Sequence, residues 1–277
     1  MINFCTYFDS TYLAKGLVCR HTLMNHTPTV QLFVLCLDDS VTSALSGMPN
    51  TTLIALKDIE SYCPTLLEIK PKRKQPREYY TTMTAIFPLF LFERFGIERL
   101  TYTDADMAYW SSAEEIEEVM GEYSLMVTDH ENPIAYAAGR FNNGIMGYRN
   151  DTYCVEFLQW YAERCIDWCE WRATADGKCG DQGYLTILHS QPERFKNVLS
   201  CPQPGINLGA WNLAMHSLEE KNGKLILDSK RNLVCYHFHG IAQNGQNGTG
   251  WNVSSANLKL LYGPYQEMRL RAMAGVL

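Results

Sequence analysis

The stretch VQLFVLCL, Val30–Leu37, is apolar almost throughout and runs directly into Asp38 and Asp39. A strand with one wet face alternates apolar and polar residues; a strand without alternation is covered on both faces, as in a parallel sheet with helices on either side. The surrounding sequence supplies those partners. Ile2 to Phe8 is a short apolar and aromatic run, followed from Thr11 to about Met24 by a helical-period stretch carrying Leu13, Leu17 and Leu23. Thr51 to Leu56 reads as a third strand, and a short helix starts near Asp58. The polar, proline-containing KPKRKQPRE, Lys70 to Glu78, then interrupts the pattern. Tyr79 to Phe95 spaces Met83, Ile86, Phe87, Phe90, Leu91 and Arg94 as a long helix does, despite Pro88, and Gly96 marks its end. A strand ending at Asp104 follows.

Beyond Trp110 the alternation loosens. SSAEEIEEVM reads as a capped acidic helix, Tyr123 to Val127 and Gly144 to Tyr148 as strands, and Asp151 to Trp171 as an aromatic-rich helix. GDQG opens a helix to about His189, and Leu233 to His237 is a late strand. No internal repeat is evident. A length of 277 residues admits one large domain or two small ones. The economical layout is one α/β domain over 1–277, with a Rossmann-like nucleotide-binding half at about 1–106 and a mixed-sheet half at about 107–277 supplying the rest of a cleft.

Hydrophobic residues at 46% and charged ones at 19% fit a folded chain rather than a disordered one. A formal charge of −6 lacks the basic character of nucleic-acid binders, so no nucleic-acid partner is expected. MINFCTYFDS has no charged n-region, and no apolar stretch is long enough to span a bilayer, so the expected location is the cytoplasm. There the ten scattered cysteines should be reduced. Cys165, Cys169, Cys179 and His189 offer a zinc set on paper, but without a CxxC pair core packing is the favoured reading. The sequence sets no oligomeric state.

RLTYTDADMAYW, Arg99 to Trp110, carries the chemistry. Two carboxylates one residue apart at a strand end repel each other and resist burial, unless a cation neutralises them. Oxygen ligands suit Mg²⁺ or Mn²⁺, and such ions keep positions open for substrate phosphates. The plainer alternative is a turn begun by Asp106 and capped by Asp104.

The segment TYTDADMAYW resembles the DxD motif of GT-A glycosyltransferases, in which the aspartates hold a metal that bridges the diphosphate of a nucleotide sugar. FNNGIMGY, Phe141 to Tyr148, is similar to the FNxG strand of the family-eight enzymes, the glycogenin and lipopolysaccharide galactosyltransferase type. GDQGYL resembles their DQ pair, and YHFHG their HxxG motif. The four occur in the family's order between residues 3 and about 240. The chain also looks like a set of mostly uncharacterised bacterial proteins sharing EYYxTxT, PGxNLxxWN (here Pro204 to Asn212) and HFHG.

The resemblance implies a GT-A fold and a metal-dependent transfer of sugar from a nucleoside diphosphate sugar to an acceptor hydroxyl, with the anomeric configuration retained; an inverting enzyme would instead need a carboxylate base beside the acceptor hydroxyl, a part Asp181 could serve. It implies Asp104, Asp106 and His237 as ligands to Mn²⁺ or Mg²⁺, and Asn142, Asp181 and Gln182 at the sugar. Thr6, Asp9 and Tyr12 fall where the family contacts the nucleoside, and Asp104 faces the same nucleotide. The implied acceptor is a glycan or lipid-linked glycan of surface polysaccharide or lipopolysaccharide synthesis, which would bring the protein to the inner membrane face by peripheral contact. One feature departs from the family: HGIAQNGQNGTGW replaces the KPW that supplies a phosphate-binding lysine.

Other employments stand beside these. His237 or His239 can be a hydrogen-bonded strand-end histidine, Asn142 and Asn143 turn residues, Asp181 a helix N-cap, and Tyr12 a core residue. The basic run Lys70 to Arg77 can meet an anion or be solvated surface. A DxD pair also serves haloacid-dehalogenase-type phosphatases, though there it sits on an early strand, and a sugar-binding protein without turnover could retain the same fold.

Overall fold

Side chains along Phe4–Cys5 and Leu32–Phe33–Val34–Leu35 pass alternately to opposite faces of a sheet, and each face is covered by helices. The computed structural model describes residues 2–241 and 247–277. Its first half runs β1 (Ile2–Phe8), α1 (Leu13–His26), β2 (Val30–Cys36), α2 (Asp39–Leu45), β3 (Thr51–Ala55), α3 (Leu56–Tyr62), α4 (Thr65–Ile69), α5 (Pro76–Tyr80), α6 (Met83–Phe95) and β4 (Arg99–Thr103). After β5 (Met107–Tyr109) come α7 (Glu114–Met120), β6 (Leu125–Asp129), β7 (Phe141–Arg149), α8 (Thr152–Asp167), α9 (Ile187–Ser190) and β8 (Val198–Ser200). The order β3-β2-β1-β4-β7-β6-β8 makes a seven-stranded mixed sheet. Within it β1, β2, β3 and β4 pair parallel, while β7 is antiparallel to both its neighbours.

One face packs under α3, α4, α6 and α8 around Phe87, Leu91, Phe157 and Tyr161; the other packs under α1, α2 and α7 around Leu23, Val41 and Ile116. The expected α/β architecture with a Rossmann-like first half and a mixed second half is therefore observed. A second sheet joins β5, β13 (Cys235–His237) and β9 (Leu208–Gly209). A three-stranded antiparallel piece, β10 (Leu218–Lys221), β11 (Lys224–Leu227) and β12 (Arg231–Asn232), adjoins it. A third core, with Leu208, Leu225, Tyr236 and Phe238, joins these strands to the closing helix Gly263–Met273.

Three helical expectations need correction. The helix expected over Tyr79–Phe95 is broken at Thr81–Thr82, where both hydroxyls donate back to the carbonyls of Arg77 and Glu78. Such back-bonding by β-branched residues bends helices. Pro88 is tolerated within α6. The helix expected to Trp171 ends at Asp167, because Arg73 donates to the carbonyls of Cys165 and Ile166 at 2.6 and 2.8 Å and Tyr184 Oη donates to that of Trp168. The helix expected from GDQG is a 3₁₀ stretch, Gln182–Thr186, leading into one turn of α9. All ten cysteines are free. No helix among the described residues is long and apolar enough to cross a membrane.

Candidate active site and metal centre

Parallel strands align their carboxyl ends, and in α/β sheets ligands bind beyond that edge, where the chain leaves neighbouring strands in opposite directions. Here the ends of β1, β2 and β4 deliver Asp9, Leu37 and Asp104 to one cavity of about 520 Å³. Its walls also carry Tyr12, Arg77, Tyr102, Asn143, Trp171 and His239.

Asp104 and Asp106 occupy the turn between β4 and β5. The Asp104 amide donates to the Gly144 carbonyl at 2.9 Å, which ties the turn to β7. β5 then pairs antiparallel with β13, placing His237 opposite Met107, and the Phe238 amide donates to the Asp106 carbonyl. A residue more than a hundred positions away is thus brought beside the pair by strand register. His237 Nε2 lies 3.1 Å from Asp106 Oδ1 and 3.5 Å from Asp104 Oδ2. One ligand atom from each of the three falls within 4.8 Å of the others, the one such group of metal-ligating side chains among the described residues. The Cys165, Cys169, Cys179 and His189 set forms no such group there.

The electrostatics are those of a cation site. Burial and the Asp106 charge push Asp104 well above the usual carboxylate range, against the opposing pull of His237. Burial acts on Asp106 in the same sense, but His237 and Lys15 outweigh it and hold its carboxyl low. Lys15 Nζ stands 3.7 Å from Asp106 Oδ2 and 3.9 Å from the centre of the Tyr12 ring. His237 loses some basicity to burial, yet the two aspartates raise it overall. Two carboxylates and an imidazole converge on one point and fit a divalent cation with mixed oxygen and nitrogen ligands, while the Lys15 ammonium beside Asp106 is not a ligand.

Asp9 caps the turn after β1, accepting from the Thr11 amide and hydroxyl, and lines the cavity with the exposed Tyr12. Thr6 is not among its lining residues; its side chain is buried and its hydroxyl has no hydrogen-bond partner among the described residues. Asp181 is the expected cap, accepting from the Gln182 amide. Its carboxylate is fully buried, receiving 2.8 Å hydrogen bonds from Thr84 Oγ1 and Asn143 Nδ2, and burial raises its pKa.

Asn142 also lies behind the wall. Its Nδ2 donates to Gln182 Oε1 and His130 Nε2, while its Oδ1 accepts from the Gly144 amide and Asn207 Nδ2. Both donors and both acceptor positions of this amide are thereby engaged. Asn143 is the member of the pair on the cavity. The cause is a register shift in β7, whose partners jump from Met146 opposite Val127 to Asn142 opposite Thr128.

The basic run divides into separate jobs. Lys70 pairs with Glu60, Arg73 caps α8, Lys74 pairs with Glu170, and Arg77 reaches the cavity, its guanidinium carbon 5.0 Å from the centre of the Trp171 ring. Arg77 makes no ion pair with a carboxylate among the described residues. The segment in which the family's lysine is missing lies partly outside the described residues, at 242–246.

Among solved structures, the galactosyltransferase LgtC, in complex with donor and acceptor sugar analogs, superposes with a TM-score of 0.64 at 14% identity, covering 97% of this chain and 95% of its own. The chain has the GT-A fold. Glycosyltransferase GlyE of Streptococcus pneumoniae TIGR4 shares it with a TM-score of 0.59 at 15% identity, over 99% of this chain and 62% of GlyE. Mouse xyloside xylosyltransferase 1 does so at 0.55 and 12%, over 85% of this chain and 97% of the enzyme. At these identities the likeness is one of fold. The uncharacterized protein YfnF of Bacillus subtilis (strain 168) is 29% identical over 251 residues, 86% of this chain and 80% of YfnF. YfnD of the same organism, also uncharacterized, is 27% identical over 95% of this chain and 87% of YfnD. No family model matches. In this GT-A chain the Asp–Asp–His group sits at the carboxyl end of β4, the fourth strand, rather than on the early strand that a haloacid-dehalogenase phosphatase uses.

Proposed function

We propose that the chain is a divalent-cation-dependent glycosyltransferase that moves a sugar from a nucleoside diphosphate sugar to an acceptor hydroxyl. The observation that carries this reading is the convergence of Asp104, Asp106 and His237 on a nucleotide-sized cavity at the carboxyl edge of a GT-A sheet. Those three side chains hold the ion, and their mixed donor set favours Mn²⁺ over Mg²⁺. Such an ion supplies Lewis-acid stabilisation to the charge on a departing diphosphate.

The chain's own residues do the rest. Arg77, whose guanidinium makes no ion pair among the described residues, meets the leaving diphosphate in place of the family's lysine, and Lys15 adds positive charge beside Asp106. Asp9 and Tyr12 meet the nucleoside. Asn143 faces the sugar directly, with Asp181, Asn142 and Gln182 fixing its position from behind. Retention fits this arrangement. An inverting enzyme needs a carboxylate base beside the acceptor hydroxyl; Asp181 is buried and fully hydrogen-bonded, and the carboxylates on the cavity wall are Asp9 and the two metal ligands. The acceptor we assign is a glycan or lipid-linked glycan of surface polysaccharide synthesis, met at the inner membrane face by peripheral contact.

The test is thermal-shift screening of UDP-, GDP-, CMP- and dTDP-sugars with and without Mn²⁺, followed by assay of nucleotide release, with Asp106→Ala as control. A donor at 100 times its Kd adds about 2.7 kcal/mol of stability. The expected result is a Mn²⁺-dependent shift and turnover, both absent in the variant. Phosphate release from simple esters would point instead to a phosphatase, binding without turnover to a sugar-binding protein, and no shift with any donor would remove the proposal.

A further inference from the structure

The motif PGINLGAWN, Pro204 to Asn212, has no place in the reading above, yet it lies against the metal centre. Asn207 sits immediately before β9, which pairs with β13 so that Gly209 stands opposite His237. Its backbone is left-handed, with φ of 73°, and its side chain is buried. That side chain has three neighbours: Thr128 Oγ1 at 2.7 Å, Asn142 Oδ1 at 2.8 Å and His237 Nδ1 at 3.2 Å.

Amide and imidazole orientations are ordinarily matters of assignment, but one backbone group settles this network. The Gly144 amide is a donor and nothing else, and it lies 2.8 Å from the Asn142 side chain, which must present Oδ1 to it. Asn142 Nδ2 then faces His130 and Gln182. The Asn207 atom meeting Asn142 Oδ1 must be a donor, so it is Nδ2, and Asn207 Oδ1 is left facing His237. An amide oxygen only accepts, so His237 Nδ1 carries a hydrogen. In the neutral ring Nε2 is then the lone-pair nitrogen, and it is the atom aimed at Asp104 and Asp106.

We infer that Asn207 is the positioning residue of this metal centre: through its hydrogen bond to Nδ1 it fixes the tautomer and ring plane of His237 so that Nε2 is presented to the ion. Two further contacts restrict the same ring. Trp211, from the same motif, meets it edge to face at 5.3 Å, and Gly144 leaves room for it, since a Cβ there would lie 2.5 Å from Nδ1. The motif therefore builds the support behind the histidine, the layer that elsewhere sets ligand basicity and orientation.

The inference rests on the metal reading above, and its test separates the two. Asn207→Gly removes the side chain while accepting the left-handed backbone; Asn207→Asp keeps an acceptor for Nδ1–H; Thr128→Val removes one anchor of the amide and is the milder change. Each full-length variant is checked for folding by circular dichroism. Mn²⁺ affinity is then measured by calorimetry, and the histidine nitrogen coupling of bound Mn²⁺ by pulsed electron paramagnetic resonance. Asn207→Gly is expected to weaken Mn²⁺ binding about 10- to 100-fold and to lose the nitrogen coupling. Thr128→Val should weaken binding less, and Asn207→Asp, which keeps an acceptor for Nδ1–H but sets a second acceptor against Asn142 Oδ1, should keep the coupling with an affinity between those of Asn207→Gly and the wild type. Unchanged affinity and coupling in Asn207→Gly overturn the positioning role. Should that variant not fold, unchanged affinity in Thr128→Val overturns it instead. A wild-type chain that binds no Mn²⁺ overturns the metal reading itself, and the inference with it.

Discussion

Replacing Asp104 with Asn should stabilise the metal-free protein while abolishing metal binding. Asp104 is pushed from an ordinary 3.8 up to about 7 by burial and by Asp106. Its side chain is 25% exposed, so solvent screens it only in part. At about 1.36 kcal/mol per pH unit, a displacement of that size costs the fold up to about 4 kcal/mol at neutral pH. The same substitution removes the attraction between Asp104 and His237, 3.5 Å apart, and we set the net gain at about half, ~2 kcal/mol. For a chain of 277 residues that raises Tm by roughly 3–4 °C. A carboxyl whose folded pKa is raised weakens the fold as pH climbs from the unfolded value toward the folded one. The gap between variant and wild type should therefore be absent near pH 4, open between pH 4 and 7, and be full above 7. The assay is thermal unfolding in chelator across that range, repeated in Mn²⁺. Saturating Mn²⁺ at 100 times Kd returns about 2.7 kcal/mol to the wild type and none to the variant, so their order reverses. A variant no more stable than wild type in chelator at pH 7.5, or a gap that does not close toward pH 4, would refute the claim that the carboxylates strain the metal-free fold.

Two other substitutions probe the walls of the site. Gly144→Ala places a Cβ 2.5 Å from His237 Nδ1 and 2.8 Å from Asn142 Oδ1, an overpacking expected to cost about 1–3 kcal/mol and to weaken Mn²⁺ binding; denaturant midpoints and calorimetry read the two effects separately. Arg77→Ala should raise KM for the donor about 10- to 100-fold, the loss of one charge-assisted hydrogen bond, with kcat changed less. Arg77→Lys should recover part of that loss, and steady-state kinetics over a range of salt measures both.

What the sequence discloses about this fold depends on how far apart the deciding residues lie. Val30–Leu37 declares a strand covered on both faces because burial leaves its mark residue by residue, and β1, β2, β3 and β4 are found close to where the pattern puts them. Asp104 and Asp106 are legible as a candidate site because two carboxylates set close together at a strand end repel each other unless a cation neutralises them. His237 required a motif likeness, since nothing local says that β13 pairs with β5. Helix ends were lost where a distant group intervenes, as Arg73 does at the last turn of α8. Asn143 rather than Asn142 lines the cavity for a related reason: alternation along a strand predicts facing only while register is constant, and β7 slips register where it passes Val127 and Thr128 of β6. Asn207 carried a faint signal, as an asparagine in a shared motif, but its task is visible only once Gly144, Asn142 and His237, from two other strands, surround it. Residues that touch a ligand can announce themselves through their chemistry, whereas those that orient them are defined by partners, and partners are a property of the fold. A residue such as Asn207 is therefore found by following hydrogen bonds outward from the metal ligands, starting at a donor whose identity is beyond dispute.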